Sequence, residues 1–236
     1  IPPPTNPHVF SGGELDRASH LRKNCAAIAA LKANEGSRFL PFWELRGLID
    51  LSGRPTLAWQ SMDRLDDLSV NRSEPIFLGL EKGSGRFAIG LNERTNPAKG
   101  GSLEAQGKFI DVRTIAPQLS LHEAATLAHA RSVIDWNARH LFCAMCGSAT
   151  EARSAGNTRF CRSCESEHFP RTDPVAIMLV IKEGKCLLGR KREWPPGMYS
   201  ALAGFIEPGE TIEEGVKREV YEETGIKTGK VRYISS

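Results

Sequence analysis

At 236 residues the chain is long enough for two domains and a sizeable core. A formal net charge of +3 is too small to argue for nucleic acid or a membrane surface as a partner, and no apolar run approaches the length of a spanning helix. Six cysteines are too few and too clustered for a disulfide scaffold, and four of them fall into metal spacing, which predicts a reducing, cytoplasmic setting. The opening IPPPTNPHVF has neither a basic start nor an apolar stretch and does not read as a secretory signal; it also lacks Met, so an upstream start is expected.

Residues 1–118 read as a β-rich N-terminal domain. Pro2 to Pro7 is an extended proline-rich arm, and Leu15 to Ala33 a helix or helical turn with Cys25 as a core residue in its apolar run. Arg38 to Ile49 is apolar and aromatic. With Ser52-Gly53 as a turn before Pro55 to Gln60 it predicts a hairpin. Pro75 to Leu80 and Arg86 to Leu91 flank Lys82-Gly83-Ser84-Gly85 and predict another. Asn92 to Gly107 is a loop and Lys108 to Arg113 a strand; none of this half carries chemistry by pattern alone. A linking segment, 119–141, holds a helix from Ser120 to Arg139. Ser120 and Glu123 form its capping box, and Leu127, Ala130, Ile134 and Ala138 its apolar face. His122, His129 and His140 read as surface or helix-end histidines.

In 142–170, Cys143-Ala-Met-Cys146 is followed after fourteen residues by Cys161-Arg-Ser-Cys164. Two such knuckles offer four thiolates to one tetrahedral ion, the pattern of a four-cysteine zinc ribbon. With all four positions filled by protein there is no place for a catalytic water, so this Zn2+ is structural. His168 is a neighbour of the site, not a ligand.

Residues 171–236 begin with Val175 to Ile181, read as a buried strand, and Lys185 to Gly189, in which Cys186 alternates with the core. Arg190-Lys191-Arg192 is a solvated loop or a phosphate contact. Met198 to Phe205 is a strand leading into GFIEPGETIEEGVKREVYEETGI, Gly204 to Ile226. Thr211 with Glu214 predicts a capped helix from Ile212 to Thr224, closed by Gly225. At about 100° per residue Glu219, Glu222 and Glu223 share an arc of roughly 100°. Arg218, four residues before Glu222, offsets part of their repulsion. Hard oxygen donors in this number suit Mg2+ or Mn2+ rather than Zn2+.

These residues match the Nudix box, G-x5-E-x7-R-E-U-x-E-E-x-G-U, at every fixed position. A zinc ribbon ahead of that box and a β-rich domain ahead of both resembles the NADH pyrophosphatase (NudC-type) family. The likeness covers nearly the whole chain and is strongest from Phe142 to Ile226, through FCAMCG, HFPRTDP, LAGFIEPGE and REVYEETGI. It implies an α+β chain: the N-terminal domain, the ribbon, then a Nudix α/β/α sandwich. It also implies a homodimeric, Mg2+- or Mn2+-dependent enzyme that splits the pyrophosphate of NAD(H) into NMN(H) and AMP, with bacterial members removing NAD caps from RNA. By motif, Glu219 and Glu223 would be metal ligands with Glu222 in the same cluster, and the Ala203 carbonyl would join them. Phe205 would stack on a substrate base, or serve as a core residue at its strand end. Arg113 and Phe169 would contact substrate, Phe169 standing where the family often has a tyrosine. Arg218 belongs to the catalytic set, and either Glu222 or Glu210 could orient or deprotonate the attacking water. The family's Q-P-W-P-F-P motif would begin about where the sequence stops at Ser236. What stands from Arg171 onward is about half a Nudix domain, and a chain ending there is expected to be inactive. Two rival readings are a Nudix hydrolase of another nucleoside diphosphate derivative and a ribbon-based nucleic-acid-binding module with an inert Nudix half.

Overall fold

A computed structural model describes residues 8–65 and 73–236; the proline arm expected at Pro2 to Pro7 lies outside them. The chain forms two compact units, one running to Pro170 and the other Arg171–Ser236. It is mixed α and β, and among the described residues no helix is long and apolar enough to cross a membrane.

The first unit is built on a six-stranded sheet. Its strands are β1 (Arg38–Trp43), β2 (Arg46–Asp50), β3 (Thr56–Leu57), β4 (Ile76–Glu81), β5 (Ser84–Leu91) and β6 (Lys108–Ile110). The order is β3-β2-β1-β5-β4, with β6 also paired to β2. All pairs are antiparallel except β1 with β5, which places Phe39 beside Phe87. Period-two alternation sends Leu40, Phe42, Ile49 and Ala88 to one face, where helix α3 (Leu121–Arg139) packs Leu127, Ala130 and Ile134 on them. It sends Phe39, Leu48, Phe87 and Ile89 to the other, under Ile28, Leu103 and Phe109. A smaller sheet, β7 (Thr150–Arg153), β8 (Thr158–Cys161) and β9 (Glu167–His168), carries the cysteine knuckles.

Local signals hold and long-range ones shift. The Lys82-Gly83 hairpin forms as expected, and so does the Ser120–Glu123 capping box. The hairpin expected across Ser52-Gly53 forms between β2 and β3, with Asp50 opposite Thr56, and the Arg38 to Ile49 segment before it is itself folded into β1 and β2 at Glu44-Leu45, both with positive φ (49° and 59°) and without the glycine or asparagine that marks such turns. Of the helix or helical turn expected over Leu15 to Ala33, a single 3-10 turn forms at Ser19–Leu21 and the α-helix begins at Cys25 (α1, Cys25–Ala33), where Asn24 caps it by accepting the Ala27 N–H. Cys25, expected in the core, is exposed at that first turn; Ile28 is the buried residue. The strand expected over Lys108 to Arg113 stops at Ile110, since the Asp111 carboxylate caps the short helix α2 (Val112–Ile115). Ala138 lies exposed in the last turn of α3, whose inner face is continued instead by Val133 and Trp136.

The second unit pairs β10 (Val175–Met178) with β13 (Leu202–Phe205), and β11 (Ile181–Lys182) with β12 (Lys185–Cys186) across Glu183-Gly184. Helix α4 (Ile212–Thr224) covers one side: Met178, Val216 and Val220 are buried, with Ala176, Val180 and Leu202 against them. The segment Val175 to Ile181 is therefore not the wholly buried strand expected. Its alternate residues Val175, Ile177, Leu179 and Ile181 are exposed, as is Cys186, because only one face of the strand is covered. The strand expected from Met198 begins at Leu202, after a bridge from Ser200 to Gly189.

Candidate functional site

The two cysteine knuckles fold alike. In the first, the Cys143 N–H donates to Ser148 O and Gly147 N–H to Cys143 O; in the second, Cys161 N–H donates to Ser166 O and Glu165 N–H to Cys161 O. Each buries its first cysteine and exposes its second. The Sγ atoms of Cys143 and Cys164 are 3.5 Å apart, as are those of Cys146 and Cys161, so none is a disulfide. All four lie within 4.8 Å of one another, and among the described residues they form the only group of three or more His, Cys, Asp or Glu ligand atoms so close. Tetrahedral Zn–S bonds of about 2.3 Å place sulfurs about 3.8 Å apart, so the thiolates fit such an ion. Hydrogen bonds from Ser148, through its hydroxyl and its backbone N–H, lower the Cys146 thiol to about 6, easing the ionisation that metal binding needs. The His168 ring approaches Cys143 Sγ at 3.3 Å, beside the site.

Polar bonds that sequence patterns do not signal tie this ribbon to the sheet. Buried Asn157 donates to Phe77 O at 3.0 Å. Asn137 of α3 donates to Gly156 O, and Arg159, also buried, reaches Thr150 and Asn137. His129 also escaped the sequence reading. It is half-buried against Arg17 rather than on the surface, and burial with the nearby Arg17 and Arg22 charges pulls its pKa down to about 4.

The glutamate site is built on α4. Thr211 and Glu214 form the capping box and Gly225 closes the helix at φ 72°, as its sequence predicts. Arg218 is the hub. Its Nε and Nη2 donate to both oxygens of Glu210 (3.0 and 2.7 Å), and its Nη1 to Glu219 and Glu222 (3.0 Å each). Nη2 also donates to the Phe205 carbonyl at 2.9 Å, joining α4 to the end of β13. The Arg218 guanidinium, with the Glu207 N–H, holds the Glu210 carboxyl below the usual carboxylate range. Glu219 lies so close over β13 that a Cβ on Gly204 would stand 1.9 Å from its Cδ. Gly204 is thus the cradle that admits the carboxylate. Glu222 and Glu223 are exposed. Three carboxylates share one guanidinium and leave excess negative charge of hard oxygen type, a donor chemistry suited to a divalent cation such as Mg2+ or Mn2+.

The remaining predicted residues divide between the units. Ala203 of β13 pairs with Ile177 of β10, and Phe205 is 62% exposed at the end of β13, so it is not a core residue. Arg190, in the basic cluster, donates to Trp194 O at 2.6 Å. Phe169 (63% exposed) and Arg113, in the first turn of α2, belong to the first unit.

Comparison with known proteins gives two matches to family models. Residues 36–136 match the NADH pyrophosphatase-like rudimentary NUDIX domain, and residues 170–236 the NUDIX domain. The NAD-capped RNA hydrolase NUDT12 of Homo sapiens is 35% identical over 97% of this chain and 58% of its own length. The NAD-capped RNA hydrolase NudC of Stutzerimonas stutzeri is 36% identical over 66% of this chain and 56% of its own. The NAD-capped RNA hydrolase of Schizosaccharomyces pombe is 31% identical over 99% of this chain and 74% of its own. This chain belongs to the NADH pyrophosphatase-like Nudix family. It spans a little over half the length of NUDT12. The sheet that sequence patterns read only as β-rich is thus a rudimentary Nudix domain, a kinship hidden because that segment lacks a Gly-x5-Glu-x7-Arg-Glu box.

Proposed function

We propose that the protein is a metal-dependent hydrolase that cleaves the P–O–P bond of NAD(H) to NMN(H) and AMP, acting also on NAD caps of RNA. The observation that carries this reading is the Arg218 hub, which gathers Glu210, Glu219 and Glu222 around a helix facing Gly204. The relatives' activities on NAD(P)H and NAD-capped RNA support the substrate class. Glu219 and Glu223, with Glu222 and the Ala203 carbonyl, would hold Mg2+ or Mn2+. Such an ion, when bound, neutralises phosphate charge, polarises phosphorus and acidifies water.

The chain's own residues then divide the work. Both oxygens of Glu210 are taken by Arg218 and one also by the Glu207 N–H, so Glu210 holds the hub together. Glu222 has one oxygen on Arg218 and is more exposed, which favours it as the group that takes the proton from the attacking water. Phe205 would grip a base by stacking, and Arg113 and Phe169 would supply further substrate contacts. The four-cysteine site would hold one structural Zn2+. A cytoplasmic homodimer, divided into N-terminal domain, linking helix, ribbon and Nudix domain, completes the proposal.

Full-length protein with Mg2+ or Mn2+ is expected to turn NADH into NMNH and AMP, with 18O from labelled water in a single product. Glu222→Gln should lose most of this activity while staying folded. Free nicotinamide as the product, or wild-type turnover in Glu222→Gln, would refute the reading.

A further inference from the structure

The rudimentary Nudix half holds a concavity of about 600 Å3 between β2, β6 and the loop that precedes β6. Arg46 and Asp50 of β2, Asn96 and Lys99 of the loop, and Lys108 and Phe109 of β6 line it. We propose that this concavity is a mononucleotide-binding site that holds the nucleotide by its phosphate.

Charge is the first argument. Arg46, Lys99 and Lys108 line the space with a single carboxylate, and among the described residues none of the three is in an ion pair. Asp50 is already engaged, accepting the Ser52 N–H at 2.8 Å, which holds its carboxyl below the usual range. Three cations against one ionised carboxylate leave an excess of positive charge on a concave surface, which would attract the negative charge of a phosphate monoester.

Preorganisation is the second. The loop is pinned, with Leu103 fully buried in the core beneath it. Asn96 folds the turn that carries Lys99: its side chain accepts the Ala98 N–H and its carbonyl the Lys99 N–H, both at 2.9 Å. Lys108 is fixed by β6, whose register sets it opposite Ile49. The cations thus stand on a sheet and a tethered turn, so little ordering would be lost on binding.

Size and lining are the third. Small-molecule sites run from about 300 to 1,000 Å3, and a mononucleotide falls within that range. Leu51, Ala98 and the nearly buried Phe109 provide an apolar wall for a base or ribose. Asn96 and Ser52 offer polar groups for hydroxyls. The site shares no residue with the Nudix box.

Hydrogen exchange on the full-length protein tests this with AMP, adenosine, inorganic phosphate and a short 5′-phosphorylated RNA as probes. AMP is expected to protect residues 46–52 and 96–109, and adenosine is not. Lys99→Gln and Lys108→Gln, both exposed positions, should each weaken that protection roughly fivefold, the size of one exposed charge contact. Weak protection by inorganic phosphate, or added protection by the RNA alongside that by AMP, would support the phosphate chemistry. Protection by AMP confined to residues 203–223, equal protection by adenosine, protection by RNA alone, or no loss in either variant would overturn the proposal.

Discussion

In the first unit the sheet is buried on both faces: Phe39, Phe42, Phe77, Phe87, Leu48 and Ile89 are all less than 2% exposed. In the second, Met178, Val216 and Val220 make the core, while Ile177 and Ile181 on the opposite face are 72% and 65% exposed. Within residues 171–236 the box of glutamates lies on the helix that supplies Val216 and Val220 to this small apolar cluster. Its order comes from helix caps and from one arginine shared by three carboxylates, interactions made over a few residues of sequence. The order of the first unit comes from apolar burial between strands far apart in sequence, together with the cysteine site. Two means of holding a backbone are thus segregated, and each can be attacked separately.

The largest effect should come from the cysteine site, where four thiolates rather than an apolar core join the two turns. Structural zinc binding is worth about 10–16 kcal/mol in small metallodomains. Cys161→Ser should abolish metal content and the exchange protection of residues 142–168, while much of the six-stranded sheet stays ordered. Purified folded protein without a bound metal, by elemental analysis, would sink this. Next come the two cores. Phe87→Ala should cost about 3–5 kcal/mol. Val220→Ala removes two methyl groups from the second unit and should cost about 1.6 kcal/mol plus a small cavity contribution. Denaturant melts of the two variants check both values, and a loss below about 1 kcal/mol in Phe87→Ala would show that this ring is not packed as the sheet's core requires.

Gly204→Ala probes the polar hub without touching either core. The added Cβ would stand 1.9 Å from Glu219 Cδ, so the carboxylate must move. A displacement of about 1 Å at a catalytic group can cost on the order of a hundredfold in rate. NADH hydrolysis by the full-length variant should fall by about that factor with the melting temperature little changed. An unchanged rate would mean that Glu219 has no positional role.

What could be read in advance follows the same division. The caps Thr211, Glu214 and Gly225, the Ser120–Glu123 box and the cysteine spacing were legible because each is complete within a dozen or two residues. Arg218 was placed beside Glu222 from helical geometry, yet its bonds to Glu210 and to the Phe205 carbonyl needed the strand–helix junction. Cys25, Cys186 and the Val175–Ile181 strand were misjudged because an apolar run does not say which of its faces another element will cover. The parallel pairing of β1 with β5, the ribbon's attachment through Asn157, and the His129–Arg17 contact all join residues more than thirty positions apart, where local pattern carries no signal.

The smallest effect, and the finest comparison, lies within the ribbon itself. The two knuckles make the same two backbone hydrogen bonds, and the residue after each second cysteine takes positive φ: 75° at Gly147 and 59° at Glu165. Glycine adopts that conformation freely, whereas an L-residue with a Cβ is strained there by about 1–2 kcal/mol. Glycine in turn loses more backbone freedom on folding, which takes back about 0.5–1 kcal/mol. Glu165→Gly should therefore stabilise by a few tenths to about 1 kcal/mol, seen as a small rise in melting temperature at unchanged metal content. Gly147→Ala should do the reverse at the first knuckle, where a Cβ would meet no atom within 4 Å, so that backbone strain alone is measured. Opposite signs for the two substitutions would establish that the knuckles are backbone equivalents with unequal side chains. A loss of stability in Glu165→Gly would mean instead that the glutamate side chain stabilises the second knuckle by more than its backbone strain costs.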